Sequence, residues 1–254
     1  MPVDSAFAAL RETLDQRHRD ATAAAFARGD DEVLRTGLPE FDRILGGGFP
    51  RGTIAALEGT PSSGRSSLAA RLLAVATSRG LGALIGTDLF PPALAAAGVR
   101  LERLMCVPVT DHVGAARAAD IVLRSGAFGV VVIPALPSGR GTGSATWTRL
   151  ASLAHRSNAL LVALGVEASS ELRYFASVIV ETAIERVRWN GASGHLCELA
   201  GYDIRATVRK HKRAAPGASA IVACAPFEDR PRLVAVRERE LTARRPSLRV
   251  VSGV

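Results

Sequence analysis

A glycine-framed turn between a buried strand and a long helix constrains this chain more than any other feature. Thr53–Glu58 is a short apolar run that reads as a strand, and Ser67–Ser78 has the spacing of a helix. Between them stand Gly59-Thr60-Pro61-Ser62-Ser63-Gly64-Arg65-Ser66. Glycines accept positive φ and close backbone approach, so such a segment can curl its N–H groups around an anion at the helix N-terminus. The same glycines also suit a plain tight turn that packs strand onto helix, and both readings stand at this stage. The pattern G-x-x-x-x-G-K-[ST] is met except at one place: Arg65 replaces the lysine. A guanidinium is a wide planar fork, whereas an ammonium is a compact point charge. A cavity shaped for lysine is therefore expected to be blocked or rearranged, although Ser66 could still offer a hydroxyl to a magnesium ion. Only Lys210 and Lys212 are lysines among the 32 basic residues, which weakens the weight of any single arginine.

Beyond Ser78 the chain alternates between two patterns. Strands at Gly82–Thr87, Leu104–Val109, Gly129–Ile133 and Ala159–Leu164 are separated by helical segments at Pro91–Ala97, Val113–Arg124 and Ala145–Arg156. Apolar strands without a polar face, spaced by helices, predict a parallel sheet covered on both sides. From about Val178 the pattern changes to shorter, more polar runs: Val178–Glu181, Glu185–Trp189, Tyr202–Arg209, Ala218–Cys224 and Arg232–Val236. These predict an antiparallel extension of the sheet. Upstream, Leu38–Leu45 reads as a short helix. Residues 5–28 read as a longer one, with Ala6, Phe7, Leu10 and Leu14 on one face. That helix either folds back on its own core or packs on a neighbour.

The charge is polarised. The formal net charge is +8, and the stretch from Arg205 to Arg249 holds twelve basic residues against four acidic ones, so it accounts for the whole excess. Cys106, Cys197 and Cys224 lie far apart, and the five histidines are scattered, so no disulfide framework and no metal site is suggested. No apolar run reaches membrane-spanning length, and MPVDSAFAAL lacks the pattern of a secretory signal. The arginine-rich end either touches DNA phosphates or docks a protein. Phe227 is the only aromatic residue near it, which argues against base stacking.

LRTGLPEFDRILGGGFPRGTIAALEGTPSSGRSSLAARLLA resembles the opening of the RecA recombinase core. The later blocks GALIGTDLF, AGVRLERLMCVPV, LRSGAFGVVVIP, RSNALLVALGV, LRYFASV and VRKHKRAAP fit in the same order, from about Leu34 to Val222. The resemblance implies an α/β fold with a RecA-like phosphate-loop core. Residues 1–33 are then an N-terminal helix, 34–237 a degenerate core and 238–254 a basic tail. It assigns Gly59, Ser62, Ser63, Gly64, Arg65, Ser66 and Ser67 to a degenerate nucleotide loop. It also shows what is missing. Asp88 stands where RecA-type ATPases carry a water-activating glutamate, Pro134 where an aspartate holds the magnesium shell, and Val166 where a glutamine senses the γ-phosphate. Phosphoryl transfer rests on positioning and charge, so these losses imply a chain that neither binds ATP nor hydrolyses it. The two DNA-binding loops shrink to about Pro137–Ser144 and Glu167–Glu171. Lys210 and Lys212 match lysines that reach a neighbouring protomer's nucleotide in that family; a basic strand facing solvent is the other reading.

A RecA-like core stripped of catalysis, with a basic C-terminus, is similar to the ImuA family, a SulA-like accessory of SOS mutagenesis. That likeness implies a non-enzymatic adaptor in translesion DNA synthesis in the bacterial cytoplasm, near the nucleoid during DNA damage. Its partners would be an ImuB-like inactive Y-family polymerase, RecA and an error-prone C-family polymerase. Lys210, Lys212, Arg213, Arg237, Arg239, Arg244, Arg245 and Arg249 are the candidate contacts to partner or DNA. A SulA-type cell-division inhibitor and an active RecA- or RadA-like ATPase are the alternatives.

Overall fold

The computed structural model describes residues 12, 33–86, 90–139, 141–191 and 198–224. The rest of the N-terminal helix read at 5–28 lies outside these residues, as do Asp88, Arg140, Cys197, the strand read at Arg232–Val236 and the whole basic tail.

Strand β3 (Ile54–Glu58) is buried along its entire length, which the unbroken apolar run IAAL requires. Helix α2 (Arg65–Arg79) follows the glycine loop and buries Leu68, Leu72 and Leu73 against the sheet. The chain then lays down β4 (Leu81–Ile85), α3 (Pro91–Ala96), β5 (Leu104–Val107), α4 (His112–Ser125), β6 (Phe128–Pro134), α5 (Ser144–Ser157), β7 (Leu160–Gly165) and α6 (Ser170–Phe175). Local chemistry sets the helix ends. Asp111 accepts a hydrogen bond from the Gly114 N–H at 2.7 Å to start α4, and Gly126 closes that helix in the left-handed conformation. Two long strands, β8 (Val178–Asn190) and β9 (Glu198–His211), and the edge strand β10 (Ser219–Cys224) complete the sheet.

The eight strands run β10-β9-β8-β3-β7-β6-β4-β5. β8, β3, β7, β6, β4 and β5 are parallel, and β9 and β10 add on antiparallel. This is the expected architecture. Alternate residues of β3 feed two separate cores: Ile54 and Ala56 meet α4 and α5, including the fully buried Trp147, while Ala55 and Leu57 meet α2. Each fully buried Val or Leu side chain in these layers contributes about 1.5–3 kcal/mol.

Three elements differ from the sequence reading. The two runs Val178–Glu181 and Glu185–Trp189 are one strand, β8, whose register slips at three bulges. Burial ends after Thr182 and a bulge follows at Ile184–Arg186, so the alternation of the first run does not carry into the second. Helix α6 overlaps the end of the short loop expected at Glu167–Glu171 and continues through residues to which the sequence reading assigns no element; it is six residues long, buries only Leu172 and starts on the Ser169 hydroxyl, which accepts from the Leu172 N–H. A two-residue pairing of β1 (Val33–Leu34) with β2 (Phe49–Pro50) is too short for any periodicity to reveal. Helix α1 (Pro39–Ile44) appears at the expected place and buries Phe41.

The charged face of the β8–β9 hairpin satisfies itself. Arg209 pairs with Glu181, and Arg205 forms a two-bond fork with Glu185 at 2.6 and 2.8 Å. The Arg205 hydrogen bond holds the Glu185 carboxyl below its ordinary value of 4.5. Its folded-state value lies below the unfolded one, so the pair's stabilisation is complete above 4.5 and is lost as pH falls through the folded value. Glu185→Gln is therefore expected to flatten the acid limb of stability while changing neutral stability little, because the pair is exposed. Urea midpoints measured from neutral pH into the acid range check this.

Candidate functional site

The glycine loop sits between the ends of three strands and is held from every side. Its first residue, Gly59, donates its N–H to the Gly165 and Val166 carbonyls at 3.1 and 3.2 Å, just past the end of β7. The Ser63 N–H returns to the Thr60 carbonyl at 3.1 Å. On the opposite side β8 closes in: Thr182 Oγ1 donates to the Glu58 carbonyl at 3.0 Å and shares a 2.8 Å hydrogen bond with the buried Ser63 hydroxyl. From β9, Tyr202 shares a 2.7 Å hydrogen bond with the Ser67 hydroxyl.

The framing glycines are demanded by this packing. Gly59 has φ +151°, and a Cβ there would lie 2.3 Å from Ser63 Oγ and 2.6 Å from the Thr182 carbonyl oxygen. Gly64 has φ +93°, and a Cβ there would lie 2.3 Å from Ile204 Cδ1. No phosphate is needed to explain either residue.

Arg65 folds back over the loop. Its Nη1 donates to the Gly59 carbonyl, so the guanidinium bridges the first residue of the turn and the first residue of the helix. Ser62, at φ +65°, and Ser66 are exposed. The loop residues read from the sequence are thus brought together, but in two sets. Gly59, Ser63, Gly64, Arg65 and Ser67 are engaged in internal contacts, while Ser62 and Ser66 face outward. Pro134 ends β6 opposite Leu164 of β7, one strand removed from β3. Its ring carries no oxygen for a metal shell. Val166 is stitched to the loop through its backbone, and its apolar side chain is 60% exposed beside it. Among the described residues, no group of three or more His, Cys, Asp or Glu side chains is placed to hold a metal ion.

The short segments at the sites of the expected DNA loops are tied down. Leu136 and Thr142 are buried, and Thr142 Oγ1 donates to the Pro137 carbonyl at 2.6 Å. Ser138 donates to Glu171, joining the two segments; that bond is the main cause holding the Glu171 carboxyl below its ordinary value.

Lys210 and Lys212 lie against the end of α6 at the surface. Lys210 Nζ donates to the Arg173 and Tyr174 carbonyls, and Lys212 Nζ to the Phe175 carbonyl. A helix C-terminus leaves carbonyls without partners and favours cations, so two ammonium groups there form a C-terminal cap. Burial, and then the charge of Lys212, lower the Lys210 ammonium below its ordinary value. Arg213 follows directly, its N–H donating to His211 Nδ1.

One residue of the site escapes a reading of the sequence. Glu58, the last residue of β3, is buried, accepts from the Ala168 N–H at 2.7 Å and pairs with Arg173 at 3.1 Å. An acidic residue ending an apolar strand was the available signal.

Comparison with known proteins places this arrangement. Residues 43–169, half the chain, match the protein family described as the MT3502 N-terminal domain. The chain is 34% identical over 134 residues to the RecA protein of Picosynechococcus sp., covering 49% of this chain and 38% of that one. It is 38% identical over 112 residues to the RecA of Saccharopolyspora erythraea, covering 42% and 32%. The matched region thus spans less than two fifths of either relative. The crystal structure of the RadB recombinase superposes with a TM-score of 0.59 at 18% identity, covering 76% of this chain and 97% of that one. The RecA/RadB-like fold is therefore shared.

Gly64→Ala tests the packing account. Left-handed backbone and the overlap with Ile204 together are expected to cost about 2–4 kcal/mol. Urea denaturation of the variant against the parent chain measures it.

Proposed function

This chain belongs to the family of the MT3502 N-terminal domain, and from its RecA-like fold and altered phosphate loop we propose that it is a non-hydrolytic accessory protein of translesion DNA synthesis. The observation that carries the reading is the Arg65 guanidinium laid on the Gly59 carbonyl. The loop keeps its shape through internal contacts, and its one cation is used on the chain's own backbone. A nucleoside triphosphate with magnesium fits these residues poorly. Ser66 could offer a hydroxyl, but Pro134 supplies no carboxylate and Val166 no group able to hydrogen-bond a phosphate.

In this reading what remains is a RecA-like body without the family's catalytic side chains. The resemblance to ImuA supplies the context: an adaptor that joins an ImuB-like inactive Y-family polymerase homologue, with RecA and an error-prone C-family polymerase as further partners. Lys210 and Lys212 support the scaffold side of this reading, since both are used in cis to cap α6. The arginine-rich end, including Arg237, Arg239, Arg244, Arg245 and Arg249, is then the part left for DNA phosphates or a polymerase subunit. Contacts to phosphates would weaken steeply with salt.

Two measurements test the proposal. The purified chain is expected to show no magnesium-dependent ATP turnover; turnover that disappears in Arg65→Ala would overturn the reading. In pull-downs the full chain is expected to retain the Y-family homologue or RecA, and failure to retain either sinks the adaptor role.

A further inference from the structure

The β8–β9 hairpin has a second face that the charged ladder does not explain. Directly paired residues share a face of a sheet, and the pairs Ile184↔Ile204, Val187↔Tyr202 and Trp189↔Leu199 line one side. Bulges between Ile184 and Arg186 and between Arg188 and Trp189 keep these pairs on one side despite the irregular spacing. Ile204 is fully buried against the glycine loop, but the stripe continues past the core. Ile184 is 38% exposed, Val187 43%, Leu199 37% and Trp189 61%. A contiguous apolar strip of this kind marks a contact surface.

The course of the chain favours one occupant. β8 runs parallel to β3, so its last residues, paired with the start of β9, lie beyond the carboxyl ends of the strands. Val33, where the described core begins, lines a cavity with Leu81 and Phe128, the first residues of β4 and β6, at the opposite end. The N-terminal segment therefore starts far from the stripe. Cys224, by contrast, pairs with Tyr202 and packs with it on the stripe's own side, and β10 runs toward the tip. Thirty residues follow Cys224, and they include the apolar run Leu233-Val234-Ala235-Val236. The Trp189–Leu199 pair lies three residues beyond Tyr202, about 10 Å along the strand. The stretch 225–231 can span up to about 23 Å, so the chain is long enough for residues 232–236 to reach it.

We propose that Arg232–Val236 lies across the Ile184–Val187–Trp189–Leu199 stripe of the same chain, as a strap. Tethering favours this occupant, since a linked segment acts at millimolar effective concentration. The strap uses only the apolar part of the C-terminal segment and leaves the arginines from Arg237 onward for other partners. It stands whether or not the adaptor reading holds.

Trp189 reports on it directly, because the other tryptophan, Trp147, is buried in the core. The full-length chain is compared with Leu233→Asp/Val236→Asp, substitutions outside the described core, with far-UV circular dichroism confirming the fold of both. The variant is expected to emit further to the red and to be quenched more by acrylamide. The difference is expected to vanish when both chains also carry Trp189→Phe. Identical emission and quenching in the two chains overturn the strap. So does protection of Trp189 that rises with protein concentration equally in both, which would assign the stripe to a second copy.

Discussion

The buried carboxylate of Glu58 is the interaction around which the top of the sheet is organised. It ends the central strand and stands next to the first loop glycine. Through Ala168 and Arg173 it draws the segment after β7 and the short helix α6 toward β3. Arg173 Nε binds the Ala168 carbonyl in turn, and the Arg173 carbonyl receives Lys210 from β9. A hydrogen bond to a charged group contributes about 1.5–3 kcal/mol, more than a neutral one. One acidic side chain thereby ties the segment after β7 and helix α6 to β3 beside the loop, and Lys210 joins β9 to the same helix.

That arrangement explains how a phosphate-loop shape can persist without its lysine. In a nucleotide-binding protein the anion helps order the glycine turn. Here β7 holds Gly59 through its N–H, β8 holds Ser63 through Thr182, and β9 packs Ile204 into the space that a side chain on Gly64 would fill. Arg65 supplies the remaining contact by binding the loop carbonyl itself. Packing and internal hydrogen bonds suffice to account for the glycine pattern, so its presence in the sequence says nothing decisive about a ligand.

The β8–β9 hairpin divides along the same logic. Its charged face is closed by cross-strand pairs such as Arg205–Glu185 and Arg209–Glu181, and Asp203 is flanked by Arg186 and Arg188. Its other face leaves the core still apolar. A strand that is buried at one end and projects at the other carries two patterns in succession. For this reason β8 reads in the sequence as two separate strands.

Much of the architecture was legible in the amino-acid order. The unbroken apolar strands around Ile54–Leu57, Val130–Ile133 and Leu160–Ala163, separated by amphipathic helices, specify a covered parallel sheet, because only that setting buries both faces of a strand. The strand–glycine–helix unit and the positions of Pro134 and Val166 were legible for the same local reason. The tertiary structure alone decided the direction of individual side chains. Whether Arg65 reaches outward or bends onto Gly59, and whether Lys210 and Lys212 point to a neighbour or cap α6, depends on partners 6 and about 37 residues away in the chain. Periodicity records which face a residue occupies. It holds no information on which distant carbonyl a flexible cation will find once the sheet has brought the strands together.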